Sequence, residues 1–121
     1  MINVCIADNF PVVHFGMKAY FKDHSEISIV SNVGNFFMIP DALRNKEIDV
    51  LILDLDLDGL NSIYEVKSII KNFPKTKVII FSSLSEHIYA PNAIKAGCAG
   101  YVHKTSKLEN LGTTIVKVNN G

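Results

Sequence analysis

The stretch IDVLILDLDLDGLNSIYE, residues 48–65, decides the fold of this 121-residue chain. From Asp54 to Glu65 it satisfies the calcium-loop pattern D-x-[DN]-x-[DN]-G-x5-E. A calcium loop is entered from an amphipathic helix, whereas this one follows IDVLIL, an unbroken β-branched run that is typical of a buried strand. Asn61 stands where an EF-hand loop carries an apolar residue, and the chain has no second loop to pair with it. We therefore interpret these carboxylates as residues that follow a strand, and not as an EF-hand.

Short apolar runs rich in Val and Ile recur along the chain and alternate with segments of helical periodicity. Continuous apolar runs of this kind suit strands that are buried on both faces, as in a parallel sheet. The predicted strands span residues 2–7, 27–33, 50–53, 78–81 and 99–102. Five such strands alternating with helices predict an α/β sandwich with a parallel sheet and helices on both faces.

Three of the predicted helices carry a clear apolar stripe at helical spacing. Two weaker helical segments, 35–45 and 86–96, contain Pro40 and Pro91, which predict late starts or kinks there. The clear stripes consist of Val13, Met17, Tyr20 and Phe21 after Pro11, of Ile63, Val66, Ile70 and Phe73, and of Leu108, Leu111, Ile115 and Val118.

The composition excludes several classes of protein. An apolar fraction of 48% with 20% charged residues indicates a globular domain. Twelve basic residues balance twelve acidic ones, so the charge does not favour binding to nucleic acid. No apolar run approaches the roughly 20 residues of a membrane span, and we expect a cytoplasmic location without membrane contact. Cys5 and Cys98 lack metal or disulfide spacing, so we expect buried free thiols.

Polar residues follow four of the predicted strands at the points where those strands end. Asp8 follows INVCIA and Asp54 follows VLIL. Ser82 follows VIIF and Lys104 follows GYVH. In an open parallel sheet all these strand ends lie on the carboxyl edge, where ligands bind. With the strand order 2-1-3-4-5, we expect two carboxylates, a hydroxyl and an ammonium group to converge at one place.

This arrangement resembles the response regulator receiver domain, the phosphoacceptor half of bacterial two-component signalling. The segments SSLSE and GYVHK are most similar to the NarL/FixJ class, whose members usually carry a C-terminal helix-turn-helix output domain of the LuxR type. The resemblance implies a flavodoxin-like (βα)5 fold, doubly wound, with the strand order 2-1-3-4-5. It extends over residues 2–121 and is carried by ADN (7–9), LILDLDLDGLNS (51–62), VIIFSS (78–83) and AIKAGCAGYVHK (93–104).

The resemblance implies that Asp54 is the phosphorylation site and that a sensor histidine kinase is the phosphodonor. Phosphoryl transfer to a carboxylate depends on positioning and charge neutralisation, for which Mg²⁺ is well suited. The implied metal ligands are Asp54, Asp8 (directly or through water) and the backbone carbonyl of Asp56. The side chains of Asp56 and Leu84 stand where the family tunes the lifetime of the acyl phosphate. Such a domain is no enzyme beyond self-phosphorylation and slow autophosphatase activity.

The resemblance also assigns roles at the ends of the fourth and fifth strands. Lys104 is implied to pair with a phosphoryl oxygen, and the Ser82 hydroxyl to donate to another. Ser83 also contacts the phosphoryl group and is small enough to admit a phosphodonor. Ser82 and Tyr101 are implied to form a switch, in which the aromatic ring swings inward as Ser82 moves.

An output surface is implied at residues 86–96, 99–103 and 107–119. Phosphorylation would shift a pre-existing equilibrium between inactive and active forms and promote homodimerisation at this surface. We expect residues 1–121 to form the receiver domain alone. Because the chain ends at VKVNNG (116–121), just past the end of the last predicted helix, we expect DNA binding and transcription regulation to belong to an output domain outside this sequence.

Two positions depart from the pattern of the family. Asn9 stands where a second acid is usual, and its amide oxygen makes it a weakened metal ligand. Asp58 stands where proline is common, and we interpret it as a solvated turn residue, the alternative being that it restores the lost charge. These departures leave open a degenerate receiver that works without phosphate as an interaction and dimerisation module.

A different class shares part of the pattern. The haloacid dehalogenase-like phosphatases also place an Asp nucleophile after a buried strand, and LILDLDLDG resembles that opening. Those enzymes begin with this motif near the N-terminus, have Thr or Val where Asp58 stands, and carry a further acidic pair after the lysine. Here the motif lies in the middle of the chain, and Glu109 is the only acidic residue after Lys104.

Overall fold

The computed structural model describes residues 1–121 as five strands that alternate with five α-helices. A short 3-10 helix, Phe36–Met38, leads directly into the second α-helix. The strands are β1 (Ile2–Ala7), β2 (Ile27–Val33), β3 (Val50–Leu53), β4 (Lys77–Ser82) and β5 (Gly100–His103). The helices are α1 (Pro11–Phe21), α2 (Ile39–Asn45), α3 (Ile63–Asn72), α4 (Glu86–Lys95) and α5 (Leu108–Asn120).

The five strands form one parallel sheet in the order β2-β1-β3-β4-β5, which confirms the predicted doubly wound, flavodoxin-like (βα)5 fold. At the carboxyl edge, Ala7 of β1 pairs with Leu53 of β3. Ser82 pairs with His103 where β4 and β5 end. Residues that directly follow these strands are therefore brought together, although they are far apart in the sequence.

Each face of the sheet is covered by its own hydrophobic cluster, because alternate residues of a strand point to opposite sides. Leu51 and Leu53 of β3 belong to the cluster under α2, α3 and α4. Val50 and Ile52 belong to the cluster under α1 and α5. All four side chains are at most 1% exposed, and each such burial contributes about 2 kcal/mol. The continuous apolar run that precedes Asp54 is thus explained by a central strand with two buried faces.

The two proline-containing segments behave differently. Pro40 is the second residue of α2, which begins only after the 3-10 helix, so the predicted late start is confirmed. Of the late start or kink predicted for 86–96, the late start is wrong, because α4 begins at Glu86 and continues through Pro91. Pro91 has no N–H to donate to the carbonyl of His87, so one helical hydrogen bond is missing at that point, in a turn whose residue His87 is exposed.

One residue of the predicted stripe on the first helix lies outside the core. Met17 and Phe21 are each 2% exposed, whereas Tyr20 is 48% exposed. The Tyr20 ring instead packs edge-on against Phe21, with 4.9 Å between the ring centroids. Helical spacing places Tyr20 at the border of the apolar face, where a long side chain reaches solvent.

Both cysteines are free and buried, as predicted. Burial raises the pKa of Cys5 to about 11 and that of Cys98 to about 12. No helix of this chain combines the length with the apolar character that crossing a bilayer requires.

Candidate functional site

Two aspartates lie side by side at the carboxyl edge of the sheet. Asp8 directly follows β1 and Asp54 directly follows β3, and their side chains are buried, with residue exposures of 1% and 3%. The backbone N–H of Asp54 donates to the carbonyl of Ala7 at 3.0 Å, so the ladder between the two strands extends to the first residue of the site. The structure thus confirms that the parallel sheet brings these two strand ends together.

Lys104, which directly follows β5, lies between the two carboxylates. Its Nζ is 2.7 Å from Oδ2 of Asp8 and 2.9 Å from Oδ2 of Asp54. Burial disfavours the charged ammonium, but hydrogen bonds and charges from both aspartates outweigh it, so the pKa of Lys104 is raised. Two buried carboxylates close together repel each other, and a shared ammonium group offsets that repulsion.

Backbone N–H groups hold the other oxygen of each carboxylate. The N–H of Phe10 donates to Oδ1 of Asp8 at 2.9 Å. The N–H of Asp56 donates to Oδ1 of Asp54 at 3.1 Å. Each carboxylate is therefore fixed in one orientation, with one oxygen on its own loop and the other on Lys104.

Asn9 connects the loop after β1 to the loop after β3. Its Nδ2 donates to the backbone carbonyl of Asp56 at 2.9 Å, and its Oδ1 accepts from the N–H of Asp58 at 2.7 Å. The side chain of Asp58 is exposed and makes no hydrogen bond or ion pair, as expected of a solvated turn residue. The Asp56 side chain is likewise exposed, and only the backbone of this residue takes part in the site.

Ser82, the last residue of β4, is completely buried beside the loop that leads to α4. Its Oγ accepts from the N–H of Leu84 at 3.1 Å. The hydroxyl of Tyr101 donates to the carbonyl of Leu84 at 2.8 Å, so the ring lies against the same loop. Burial raises the pKa of Tyr101, although the nearby Ser82 hydroxyl works in the opposite direction. Ser82, Leu84 and Tyr101 thus form one connected group, with Ser83 exposed next to it.

His103 also holds this loop, a contact that sequence reasoning did not predict. Its Nε2 lies 2.9 Å from the carbonyl of Ser83. Its Nδ1 accepts from the backbone N–H of Thr105 at 3.2 Å, so Nε2 carries the proton that is donated to Ser83. The available signal was the strand itself, because Tyr101 and His103 are two residues apart and lie on the same face.

Two aromatic rings lie near the ammonium group of Lys104, and these too were not predicted. The Nζ is 5.5 Å from the centroid of the Phe10 ring and 5.9 Å from that of Phe81. Phe10 is 56% exposed and stands at the mouth of the site, whereas Phe81 is buried. Rings at this distance attract a cation and keep the ammonium next to the carboxylates.

The oxygen atoms of this edge have the chemistry that Mg²⁺ prefers. Asp8 and Asp54 supply two carboxylates, and Asp56 supplies a backbone carbonyl in the adjoining loop. Both carboxylates contact the same ammonium through their Oδ2 atoms, so the two groups face the same point of the site. No third acidic, histidine or cysteine side chain joins them, so a bound ion would rely on backbone, amide and water oxygens for its remaining ligands.

Comparisons with known sequences identify the relatives of this arrangement. The family model described as "Response regulator receiver domain" matches residues 4–116. The Fimbriae Z protein of Escherichia coli (strain K12) is 31% identical over 109 residues, which cover 90% of this chain and 52% of that protein. The "Uncharacterized transcriptional regulatory protein YhcZ" of Bacillus subtilis (strain 168) is 26% identical over 113 residues, which cover 93% of this chain and 53% of that protein. The chain thus spans about half the length of these curated relatives.

A solved structure supports the same relationship. The crystal structure of a DNA-binding response regulator, LuxR family, from Staphylococcus aureus is similar with a TM-score of 0.87 and 26% sequence identity. The similarity covers 99% of this chain and 100% of that one. The matched family is not that of the haloacid dehalogenase-like phosphatases, and the loop at Asp54 is entered from β3, which also excludes the EF-hand.

Proposed function

Because the chain belongs to the response regulator receiver domain family, we propose that Asp54 accepts a phosphoryl group from a sensor histidine kinase. The observation that carries the proposal is the ammonium group of Lys104, which contacts the carboxylates of both Asp54 and Asp8. A site with two buried carboxylates and a partly buried cation suits a reaction in which an anionic group arrives next to an anionic nucleophile.

Asp54 acts as the nucleophile. Its carboxylate is held by the N–H of Asp56 on one oxygen and by Lys104 on the other, so it needs little reorganisation before attack. A new P–O bond forms to Asp54 as the P–N bond to the imidazole of the kinase breaks, and the imidazole leaves with the electron pair. The product is an acyl phosphate on Asp54.

Lys104 neutralises charge before and after the transfer. Its raised pKa keeps the side chain charged at neutral pH. The same ammonium, now 2.9 Å from Oδ2 of Asp54, would pair with a phosphoryl oxygen after the transfer, because Lys has a long, flexible side chain. Asp8, Asp54 and the Asp56 carbonyl would hold Mg²⁺, which when bound supplies further neutralisation of the phosphoryl oxygens.

Ser82 and Tyr101 would transmit the change. In the structure described here the Ser82 hydroxyl accepts from Leu84, and it would turn to donate to a phosphoryl oxygen. Because Leu84 is also held by Tyr101, a movement of Ser82 and its loop alters the support of the aromatic ring. Ser83 is exposed beside Ser82, at the position proposed to admit the phosphodonor, and Asp56 and Leu84 would tune the lifetime of the acyl phosphate.

The proposed output is a change at α4, β5 and α5. The exposed Ile88, Tyr89 and Ile94 of α4 give this surface apolar side chains that homodimerisation would bury. We place transcription regulation and DNA binding in an output domain outside these 121 residues, and the whole regulator in the cytoplasm. The domain itself would act as a phosphorylated switch, with slow autophosphatase activity rather than turnover of a substrate.

The proposal is tested by intact mass spectrometry after incubation with acetyl phosphate and Mg²⁺. We expect one phosphoryl addition in the wild type, none in Asp54→Asn, and suppression by a chelator. Asp58→Asn is the matched control, because Asp58 lies in the same loop with an exposed, unpaired carboxylate, and it should still be modified. Absence of any addition to the wild type at high Mg²⁺ would leave the degenerate, phosphate-independent receiver as the better description.

A further inference from the structure

The side chain of Asn9 makes a two-point connection between loops that are distant in the sequence. It donates to the carbonyl of Asp56 and accepts from the N–H of Asp58, at separations of 47 and 49 residues along the chain. The amide thus pairs with the backbone of the loop after β3 much as a neighbouring peptide group would.

This connection requires an amide and not a carboxylate. A carboxylate at position 9 could accept from the N–H of Asp58, but it has no proton to donate to the carbonyl of Asp56. Its second oxygen would then face the carbonyl oxygen of Asp56 and repel it. A cation between the two oxygens removes that repulsion, whereas the N–H group of Asn9 needs no cation.

We propose that Asn9 is a positioning residue that holds the two loops together without a metal ion, and that Mg²⁺ must displace its amide from the carbonyl of Asp56. The second half of this inference rests on the proposed function, since it takes the Asp56 carbonyl as a metal ligand. Sequence reasoning treats Asn9 as a weakened ligand, and the hydrogen-bond pattern makes it a competitor of the ion instead.

The loop after β3 is itself held in place around the two backbone groups that Asn9 contacts. The N–H of Leu57 donates to the carbonyl of Asp54 at 3.1 Å, and the Leu57 side chain is 2% exposed. Gly59 has a φ of 84°, which favours glycine, and the N–H of Phe36 donates to the carbonyl of Asp58 at 2.8 Å, so the chain at Asp58 and just beyond it is held in place. The carbonyl of Asp56 and the N–H of Asp58, the two groups that contact Asn9, therefore lie in a loop of fixed shape.

Amide hydrogen exchange in the presence of a chelator tests whether Asn9 holds the two loops together without a metal ion. The N–H of Asp58 should be protected in the wild type. It should exchange at least about tenfold faster in Asn9→Ala, which removes the acceptor, and in Asn9→Asp, where repulsion from the Asp56 carbonyl displaces the acceptor. Asn61→Ala is the matched control, because Asn61 is exposed nearby and its side chain makes no hydrogen bond. Equal exchange at Asp58 in the wild type and all three variants would overturn the proposal that Asn9 holds the two loops together.

Repeating the exchange measurement with Mg²⁺ distinguishes a specific role of the side chain at position 9 from a general loss of structure in the variants. In Asn9→Asp the ion should restore protection at Asp58, because a cation between the carboxylate and the Asp56 carbonyl removes their repulsion and leaves the carboxylate in place to accept from that N–H. In Asn9→Ala it should not, because no acceptor remains. If Mg²⁺ restores protection equally in both variants, the role assigned to the side chain is wrong.

Calorimetric titration with Mg²⁺ tests the competition. We expect Asn9→Ala to bind Mg²⁺ at least as tightly as the wild type, and Asn9→Asp about tenfold more tightly. Weaker binding by Asn9→Ala would overturn the inference, because it would make Asn9 a ligand. If neither the wild type nor any variant binds Mg²⁺, the displacement of the Asn9 amide by Mg²⁺ and the role of Mg²⁺ in the proposed function are both refuted. The difference in exchange at Asp58 would still decide whether Asn9 holds the two loops together. If the exchange contrast holds but acetyl phosphate never modifies the chain, the proposed function alone fails.

Discussion

The Nζ of Lys104 lies 2.9 Å from Oδ2 of Asp54, across 50 residues of sequence. The same ammonium lies 2.7 Å from Oδ2 of Asp8. These contacts hold a cation at the point where the ends of β1, β3 and β5 meet, and the predictions about stability depend on them.

Replacing Lys104 with methionine should destabilise the fold. The change keeps most of the apolar stem but leaves the buried carboxylates of Asp8 and Asp54 without their shared cation. We expect a loss on the order of 2 kcal/mol in the free energy of unfolding, measured by urea denaturation at neutral pH. Lys67→Met, on the exposed face of α3 without an ion pair, should change it by less than about 0.5 kcal/mol. Equal effects of the two substitutions would show that the ion pairs contribute little.

The contribution of Lys104 should also depend on pH. Its pKa in the folded protein is raised above the ordinary value of 10.5. The stabilisation is therefore fully present below that ordinary value and is lost as the pH rises through the folded pKa. The stability difference between the wild type and Lys104→Met should be constant from neutral pH to about pH 9 and shrink above pH 10.5. A difference that grows in alkali would contradict this linkage.

Tyr101 should ionise at higher pH than an exposed tyrosine. Burial raises its pKa, and its hydroxyl donates to the carbonyl of Leu84. Spectrophotometric titration of Tyr101→Phe should lack the phenol that ionises last in the wild type, and the lost hydrogen bond should cost about 1 kcal/mol. Tyr64→Phe is the control, since Tyr64 is 77% exposed, and this variant should keep the late-ionising phenol that Tyr101→Phe loses.

The two thiols should be unreactive in the folded protein. With a pKa of about 11 for Cys5 and about 12 for Cys98, the thiolate fraction at pH 8 is very small, and both side chains are buried. A disulfide reagent at pH 8 should label neither thiol under native conditions and both in urea. Rapid labelling of one thiol without urea would show that its surroundings open more readily than the packing indicates.

Much of the fold follows from local sequence, because the buried strands are short apolar runs that end at polar residues. The positions of Asp8, Asp54 and Lys104 could be predicted since each directly follows such a run in a parallel sheet. The connections of Asn9 could not be predicted, because its partners are backbone atoms whose positions depend on the shape of a distant loop. Strand spacing places His103 on the same face as Tyr101, but its acceptor, the carbonyl of Ser83, is again a backbone atom of a distant loop and could not be predicted.

The limits of periodicity are visible in the helices. An apolar stripe gives the direction of the buried face, but it does not separate a central residue such as Met17 from a border residue such as Tyr20. A proline signal likewise predicts a missing hydrogen bond without telling whether water can replace it. Pro40 lies in the first turn of α2, where an N–H has no partner within the helix, whereas Pro91 lies inside α4.

The central claim is that Asp54 is the phosphoacceptor, and chemical trapping tests it most directly. After incubation with acetyl phosphate and Mg²⁺, borohydride would reduce an aspartyl phosphate to the corresponding alcohol, which peptide mass spectrometry assigns to one residue. We predict that Asp54 alone is reduced, and that omission of acetyl phosphate abolishes the signal. Reduction at Asp8, Asp56 or Asp58, or no reduction at any aspartate, would contradict the claim.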